Sequence, residues 1–147
     1  MVIKEEIEIN APVEIVYQVT SQVEKFPEFI PDVKNIKILS KEGNKQVTFW
    51  EASIDGIEFK WEELDIYYPE QYKVDYKLIK GDADKFEGYW QVDQIEKNKS
   101  KLTLYLDFEV NIPVFSSLIM PTIRFKVKRN VQTMLKSIKE RAEKLVL

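Results

Sequence analysis

The sequence predicts an α+β domain: a curved antiparallel sheet of about seven strands wrapped around one long C-terminal helix, with two short helices after the first strand. Three observations carry this. From residue 33 to residue 110, apolar residues recur with a period of two, in runs broken by turn-forming pairs. Each break is short, which suits antiparallel neighbours and excludes the long crossovers that parallel strands need. After residue 120 the period changes, and Val127, Val131, Met134, Leu135, Ile138, Ala142 and Leu145 fall along one stripe of an α-helix. The 147 residues contain no linker, repeat or low-complexity tract, so residues 1–147 read as a single domain.

Val2–Ile9 alternates as a strand through Ile3, Ile7 and Ile9. Asn10-Ala11-Pro12 then reads as a helix start, a cap-forming residue with proline near the first helical position. Val13, Val16, Tyr17 and Thr20 follow on one helical face. In FPEFIPDV, Pro27 and Pro31 bracket a short helical turn. Strands are predicted over 33–41, 46–54, 57–68, 71–80, 84–95 and 100–110. Their separators are Gly43-Asn44, Asp55-Gly56, Pro69-Glu70, Gly81-Asp82 and Lys97–Lys99. Asp-Gly between two alternating runs is the strongest hairpin signal among them. In GIEFKWEELDIYY the apolar parity changes between Trp61 and Leu64, which predicts a bulge and a bend. A bent, one-faced sheet needs a partner, and the final helix supplies it. From Pro121 to Val146 it would be about 39 Å long, and Pro121 suits its first turn.

The absences narrow the chemistry. Without Cys there is no disulfide, thiolate nucleophile or thiolate ligand, and without His there is no imidazole metal site or His-based triad. The four glycines stand alone, so no loop has the spacing that cradles phosphate. With the charged residues of each strand turned to water, the inward faces hold no carboxylate or basic group. Tyr72 and Tyr76 are the inward polar groups, and Arg124 is placed to reach in from the helix start. No catalytic residue, metal or cofactor is therefore expected. MVIKEEIEIN has no uninterrupted apolar stretch, and no apolar run approaches the roughly 20 residues that span a bilayer. A cytoplasmic location is expected.

Charge is unevenly spread. The chain carries −3 overall, which argues against general DNA binding. From Pro121 onward eight cations face two carboxylates, a net of +6, and all three arginines lie there. Such a helix suits contact with anionic lipid headgroups of a membrane surface or with RNA through Lys126, Lys128 and Arg129. The simpler reading is a solvated face balanced by the acidic sheet, where Glu51, Asp55, Glu58, Glu62, Glu63 and Asp65 lie close in sequence.

Four stretches carry a family likeness: INAPVEIVYQVTSQVEKFPEFIPDV near the start, EGYWQVD at Glu87–Asp93, LTLYLDFEVNIPV at Leu102–Val114, and the closing FKVKRNVQTMLKSIKERA. Together with the element order they resemble the START-like, birch-pollen-allergen-like helix-grip superfamily of polyketide cyclases and lipid-transfer domains. Within it they look most like the coenzyme Q-binding and ribosome-association-toxin branch. The likeness spans essentially the whole chain. It implies a sheet that grips the helix around an apolar cavity, and hence a hydrophobic ligand such as a lipid, an isoprenoid quinone or an aromatic polyketide. The inward set then supplies the ligand-binding residues. From the sheet these are Trp50, Phe59, Trp61, Tyr72, Tyr76, Phe86, Trp90, Leu106 and Phe108; from the helix, Arg124, Val127 and Val131. Each ring alone is ordinary core material, and the functional reading is collective. Gly88 either leaves room for a ligand or marks a bend.

The connection DFEVNIPVFSSLIMP is apolar and contains two prolines, where a surface loop is normally polar. It reads either as a core plug or as a gate at the cavity mouth. Because it interrupts the element pattern, the gate is favoured, with Phe115, Leu118 and Met120 as its residues. Methionine adapts readily to varied ligands. The same cavity would serve a polyketide cyclase or aromatase, but with no inward acid or base the sequence favours a carrier. The resembled branch also implies a third reading, an interaction module acting on the ribosome or another protein through the basic helix.

Overall fold

The hairpin signals and the helical stripe both find their places in a computed structural model, which describes residues 1–54, 56–110 and 116–146, with backbone alone over 116–120. In chain order the elements are β1 (Val2–Ile9), α1 (Val13–Ser21), a 3-10 turn (Val23–Glu28), β2 (Val33–Glu42), β3 (Lys45–Ile54), β4 (Ile57–Tyr68), β5 (Lys73–Gly81), β6 (Lys85–Glu96), β7 (Lys99–Glu109) and α2 (Ser116–Leu145). The seven strands form one antiparallel sheet in the order β1-β7-β6-β5-β4-β3-β2. From β2 to β7 each strand pairs with the next in sequence, as the short turns require. β1 instead closes against β7, from Val2 opposite Asp107 to Ile9 opposite Ser100. α1 and the 3-10 turn carry the chain from that edge to the β2 edge, and α2 lies along the concave face, against β1, α1, β3 and β7.

The core fills the space between these layers. α2 contributes Val127, Val131, Leu135, Ile138 and Ala142, the predicted stripe, with Met134 at its margin. Leu145, the last member of that stripe, is 52% exposed. Phe26, from the FPEFIP segment, is wholly buried, with its ring 5.9 Å from that of Trp50 and 6.2 Å from that of Trp90. This contact ties the 3-10 turn to the sheet. Polar ties fix α2 at the β1 end: Lys139 Nζ donates to the Glu8 carbonyl at 2.7 Å, and Asn10 N–H donates to Glu143 Oε2 at 2.8 Å.

Four local expectations need correction. The cap position of α1 is Pro12, not Asn10, and no side chain caps the helix. Tyr72 does not belong to β5. Pro69–Gln71 forms a 3-10 turn, and Tyr72 follows it with a left-handed backbone (φ 53°), so β5 begins at Lys73. α2 begins at Ser116, which places Pro121 inside the helix, where its missing N–H leaves a carbonyl one turn earlier without its usual donor. The bulge lies on the neighbouring strand: Glu62 pairs with Lys80 and Glu63 with Leu78, so the extra residue is Ile79 of β5. β4 itself alternates without interruption.

Candidate functional site

Between α2 and the concave face lies a cavity of about 110 Å³, several times the roughly 10–15 Å³ one water needs by the same measure. Trp50 and Ala52 of β3 line it with Phe59 and Trp61 of β4. Tyr76 of β5, Phe86 and Trp90 of β6, and Leu106 and Phe108 of β7 continue the wall. The helix supplies Ile123, Val127, Val131 and Met134. The rings form a connected surface. Trp50 and Trp61 stack with centroids 5.5 Å apart at 16°, Trp61 meets Phe86 at 5.1 Å, and Phe86 meets Tyr76 at 5.5 Å. On the solvent side the exposed Asp82 and the half-buried Lys126 take part in the lining.

Two of the residues singled out from sequence do not reach this space. Tyr72 turns away because of its left-handed backbone, and its ring stands edge-on to that of Tyr17 at 5.7 Å. Arg124 is exposed on α2, because the helix face toward the cavity is set by Ile123 and Val127. Phe115 lies outside the described residues, as do the side chains of Leu118 and Met120, so the gate reading falls beyond them. Of the basic residues named for docking, Lys128 pairs with Glu5 at 3.7 Å and Arg129 lies 5.9 Å from the Phe125 ring centre.

Gly88 neither opens the cavity nor marks a register break. A Cβ there would fall 1.8 Å from the Tyr105 carbonyl oxygen and 2.8 Å from the Tyr76 hydroxyl. The room is taken by Tyr76, whose hydroxyl crosses over Gly88 and donates to the Tyr105 carbonyl at 2.7 Å.

The larger correction concerns acid groups. The sequence reading turned Glu63 and Asp65 to water; the structure buries them, at 4% and 1% exposure. The cause is the unbroken alternation of β4, which continues Phe59 and Trp61 inward to Glu63 and Asp65 and leaves Leu64 and Ile66 on the outer face. The signal was legible: strict alternation from Phe59 predicts it, and the β3 residues opposite are polar as well, Thr48 facing Glu63 and Gln46 facing Asp65. Glu63 lines the cavity, and Asp65 stands behind it. Trp61 Nε1 donates to Glu63 Oε1 at 2.7 Å. Thr48 Oγ1 donates to Asp65 Oδ2 at 2.7 Å and in turn accepts from Trp50 Nε1 at 2.8 Å. Burial, then the neighbouring Asp65 charge, pushes the Glu63 carboxyl well above its ordinary range, and burial raises Asp65 too. Burial and the same two acids hold the Tyr76 phenol protonated. The arrangement is a buried pair of acids set into an aromatic wall.

Comparison with known proteins gives concordant results. The model of a family described as polyketide cyclase/dehydrase and lipid transport matches residues 9–135. An uncharacterised 17.2 kDa protein from the melC2-rnhH intergenic region of Streptomyces lincolnensis is 25% identical over 107 residues, covering 72% of this chain and 67% of its own. Among solved structures, TTHA0849 from Thermus thermophilus superposes with a TM-score of 0.91 at 26% identity, covering 97% of each chain. The ZhuI aromatase/cyclase from a Streptomyces species gives 0.92 at 18% identity over 100% of this chain and 96% of its own. A START superfamily protein from Mycobacterium smegmatis gives 0.84 at 21% over 98% of each. At these last identities the likeness is one of fold.

Proposed function

Starting from the fact that the chain belongs to the polyketide cyclase/dehydrase and lipid transport family, we propose that it binds a hydrophobic small molecule in the cavity between sheet and α2, and carries or presents it. The ligand class is a lipid, an isoprenoid quinone or an aromatic polyketide. The observation that supports this most is the cavity wall itself: stacked indoles, Phe86, Phe108 and the aliphatic face of α2 around a space larger than a few waters. Burying an apolar molecule there releases water from both surfaces, at about 25 cal/mol for each Å² covered. The tests are direct. Protein purified gently from cells should show a co-purifying lipophile by native mass spectrometry, and the neutral dye Nile red should gain emission on titration. Val131→Trp, which fills the cavity from the helix side, should reduce dye uptake at least about tenfold at the cost of about 1–3 kcal/mol of overpacking. Clean apo protein together with no dye response would overturn the reading.

A second reading, ring closure of a poly-β-ketone, is favoured by one observation, the acid pair at the cavity wall. Aldol closure needs a group that removes a proton from carbon and one that protonates the new alkoxide. Glu63 faces the cavity with Asp65 behind it, and the indole of Trp61 fixes its orientation. Incubation with a poly-β-keto thioester should then yield a cyclised product by mass spectrometry, and Glu63→Gln should lower its rate by about 10²-fold or more. An unchanged rate in that variant would remove the pair from the chemistry.

A further inference from the structure

One place in the sheet departs from full pairing. The hairpins β2–β3, β3–β4 and β6–β7 stay paired up to their turns, ending at Glu42 opposite Lys45, Ile54 opposite Ile57 and Glu96 opposite Lys99. The β5–β6 ladder instead stops at Lys77 opposite Glu87, well short of its turn. Beyond that point each arm is held from outside. Leu78, Lys80 and Gly81 pair with β4, and the Asp82 N–H donates to the Lys60 carbonyl at 2.9 Å. Lys85 and Phe86 pair with β7, and the Asp84 N–H donates to the Glu109 carbonyl at 2.9 Å. The local sequence supplies the cause. The extra residue Ile79 bends β5, and Gly81 lies so close to β4 that a Cβ there would fall 2.4 Å from the Trp61 Cβ. The split borders the cavity. From the β5–β6 turn the exposed Asp82 and the half-buried Ala83 belong to the cavity lining. The Phe86 ring closes the split from inside, reaching past β5 to the Trp61 ring at 5.1 Å and meeting Tyr76 at 5.5 Å. On the outer face a groove lined by Leu64, Ile66 and Tyr89 comes up to the same place, and Tyr76 lines both groove and cavity.

We propose that this split is the port through which the hydrophobic ligand enters and leaves the cavity, with Phe86 as its leaf; the assignment rests on the binding reading above. Parting two strands elsewhere in the sheet breaks the ladder hydrogen bonds between them, which are costly to leave unmade. Here no ladder bond spans the gap among the described residues, so widening it gives up chiefly the contacts of the Phe86 ring. The arms keep their pairing to β4 and β7 while the gap widens. A lipophile meets apolar surface on both sides of the crossing, Leu64, Ile66 and Tyr89 outside and Trp61 and Phe86 within.

The chain has no cysteine, so a pair introduced at Ile79 and Lys85 gives one defined attachment point on each arm, and neither residue lines the cavity. The full-length Ile79→Cys/Lys85→Cys protein is bridged with a short bismaleimide whose core is a cleavable disulfide. By stopped-flow fluorescence Nile red should then enter at least about tenfold more slowly and reach the same final emission, and cleavage by reductant should restore the rate. The same bridge across the closed β2–β3 turn, in Glu42→Cys/Lys45→Cys, should leave the rate within about twofold of the unbridged protein. Phe86→Ala, which removes the leaf and needs no bridge, should speed association at least about threefold, a gain that lost wall contact alone would not give. Bridged protein that takes up dye at the unbridged rate overturns the port while leaving the cavity reading intact. Equal slowing by the β2–β3 bridge overturns it too, as does a Phe86→Ala protein that associates no faster. Wild-type protein that gives no dye response overturns both.

Discussion

Gly88 shows how one residue can be fixed by a neighbour two strands away from its own contacts. Its hydrogen is the only substituent that lets the Tyr76 hydroxyl reach across β6 to the Tyr105 carbonyl. Gly88→Ala forces backbone as well as side-chain movement, and should cost about 3 kcal/mol or more, read as the loss of thermal midpoint in a melting curve. Nothing in the local sequence announces this, because the reach of Tyr76 depends on the pairing of Tyr76 with Gly88. Glu63 and Asp65 were missed for a different reason. Their charge points to solvent, whereas the alternation of β4 turns them inward. Their burial has a pH signature. Both carboxyls have folded values raised above the ordinary 4.5 and 3.8, so above those values the folded state holds more protons than the unfolded chain. Stability from this source is complete at low pH and is lost as pH rises toward the folded values. The melting temperature of the wild type should thus fall relative to Glu63→Gln as pH rises above the ordinary carboxyl range. Parallel curves for the two proteins would contradict it.

At the scale of elements, α2 separates what periodicity shows from what it hides. The stripe through Val127, Val131, Leu135, Ile138 and Ala142 was legible in the spacing alone, and all five are buried. Periodicity extended the stripe to Leu145, but the sheet ends before it. Ile138→Ala should therefore cost about 2–5 kcal/mol, and Leu145→Ala less than about 0.5, in chemical denaturation of the two variants. The start of α2 was misplaced by a rule that is usually sound, since proline prefers a first turn; here the helix begins five residues earlier. The predicted bulge shows a similar displacement. A bend is present, but its extra residue is in β5, and sequence parity within β4 could not locate it. The positive charge of α2 is partly answered within the molecule. Lys128 approaches Glu5, Lys139 pairs with Glu143 at 3.0 Å, and Arg141 reaches Glu28 at 3.2 Å while lying 5.0 Å from the Phe29 ring centre.

For the molecule as a whole, the architecture was written in two periods and a set of short turns, which is why strand count, antiparallel order and the gripped helix could all be read from the chain. The cavity's apolar walls were legible for the same reason, since inward positions follow from alternation. Its polar end was legible too, in the strict alternation from Phe59 to Asp65, but a bulge placed in β4 turns Glu63 and Asp65 outward. The sheet order holds one more consequence. Six strands pair with chain neighbours, each contact closing a loop of a few residues, but β1 waits for β7 about a hundred positions later. Loop closure over that distance is entropically slow compared with zipping a hairpin. The meander from β2 to β7 can thus assemble on its own, with the N-terminal ribbon arriving as the last stave. Truncating Ile3 to Ala should then quicken unfolding while leaving the refolding rate nearly unchanged, the kinetic mark of a latecomer.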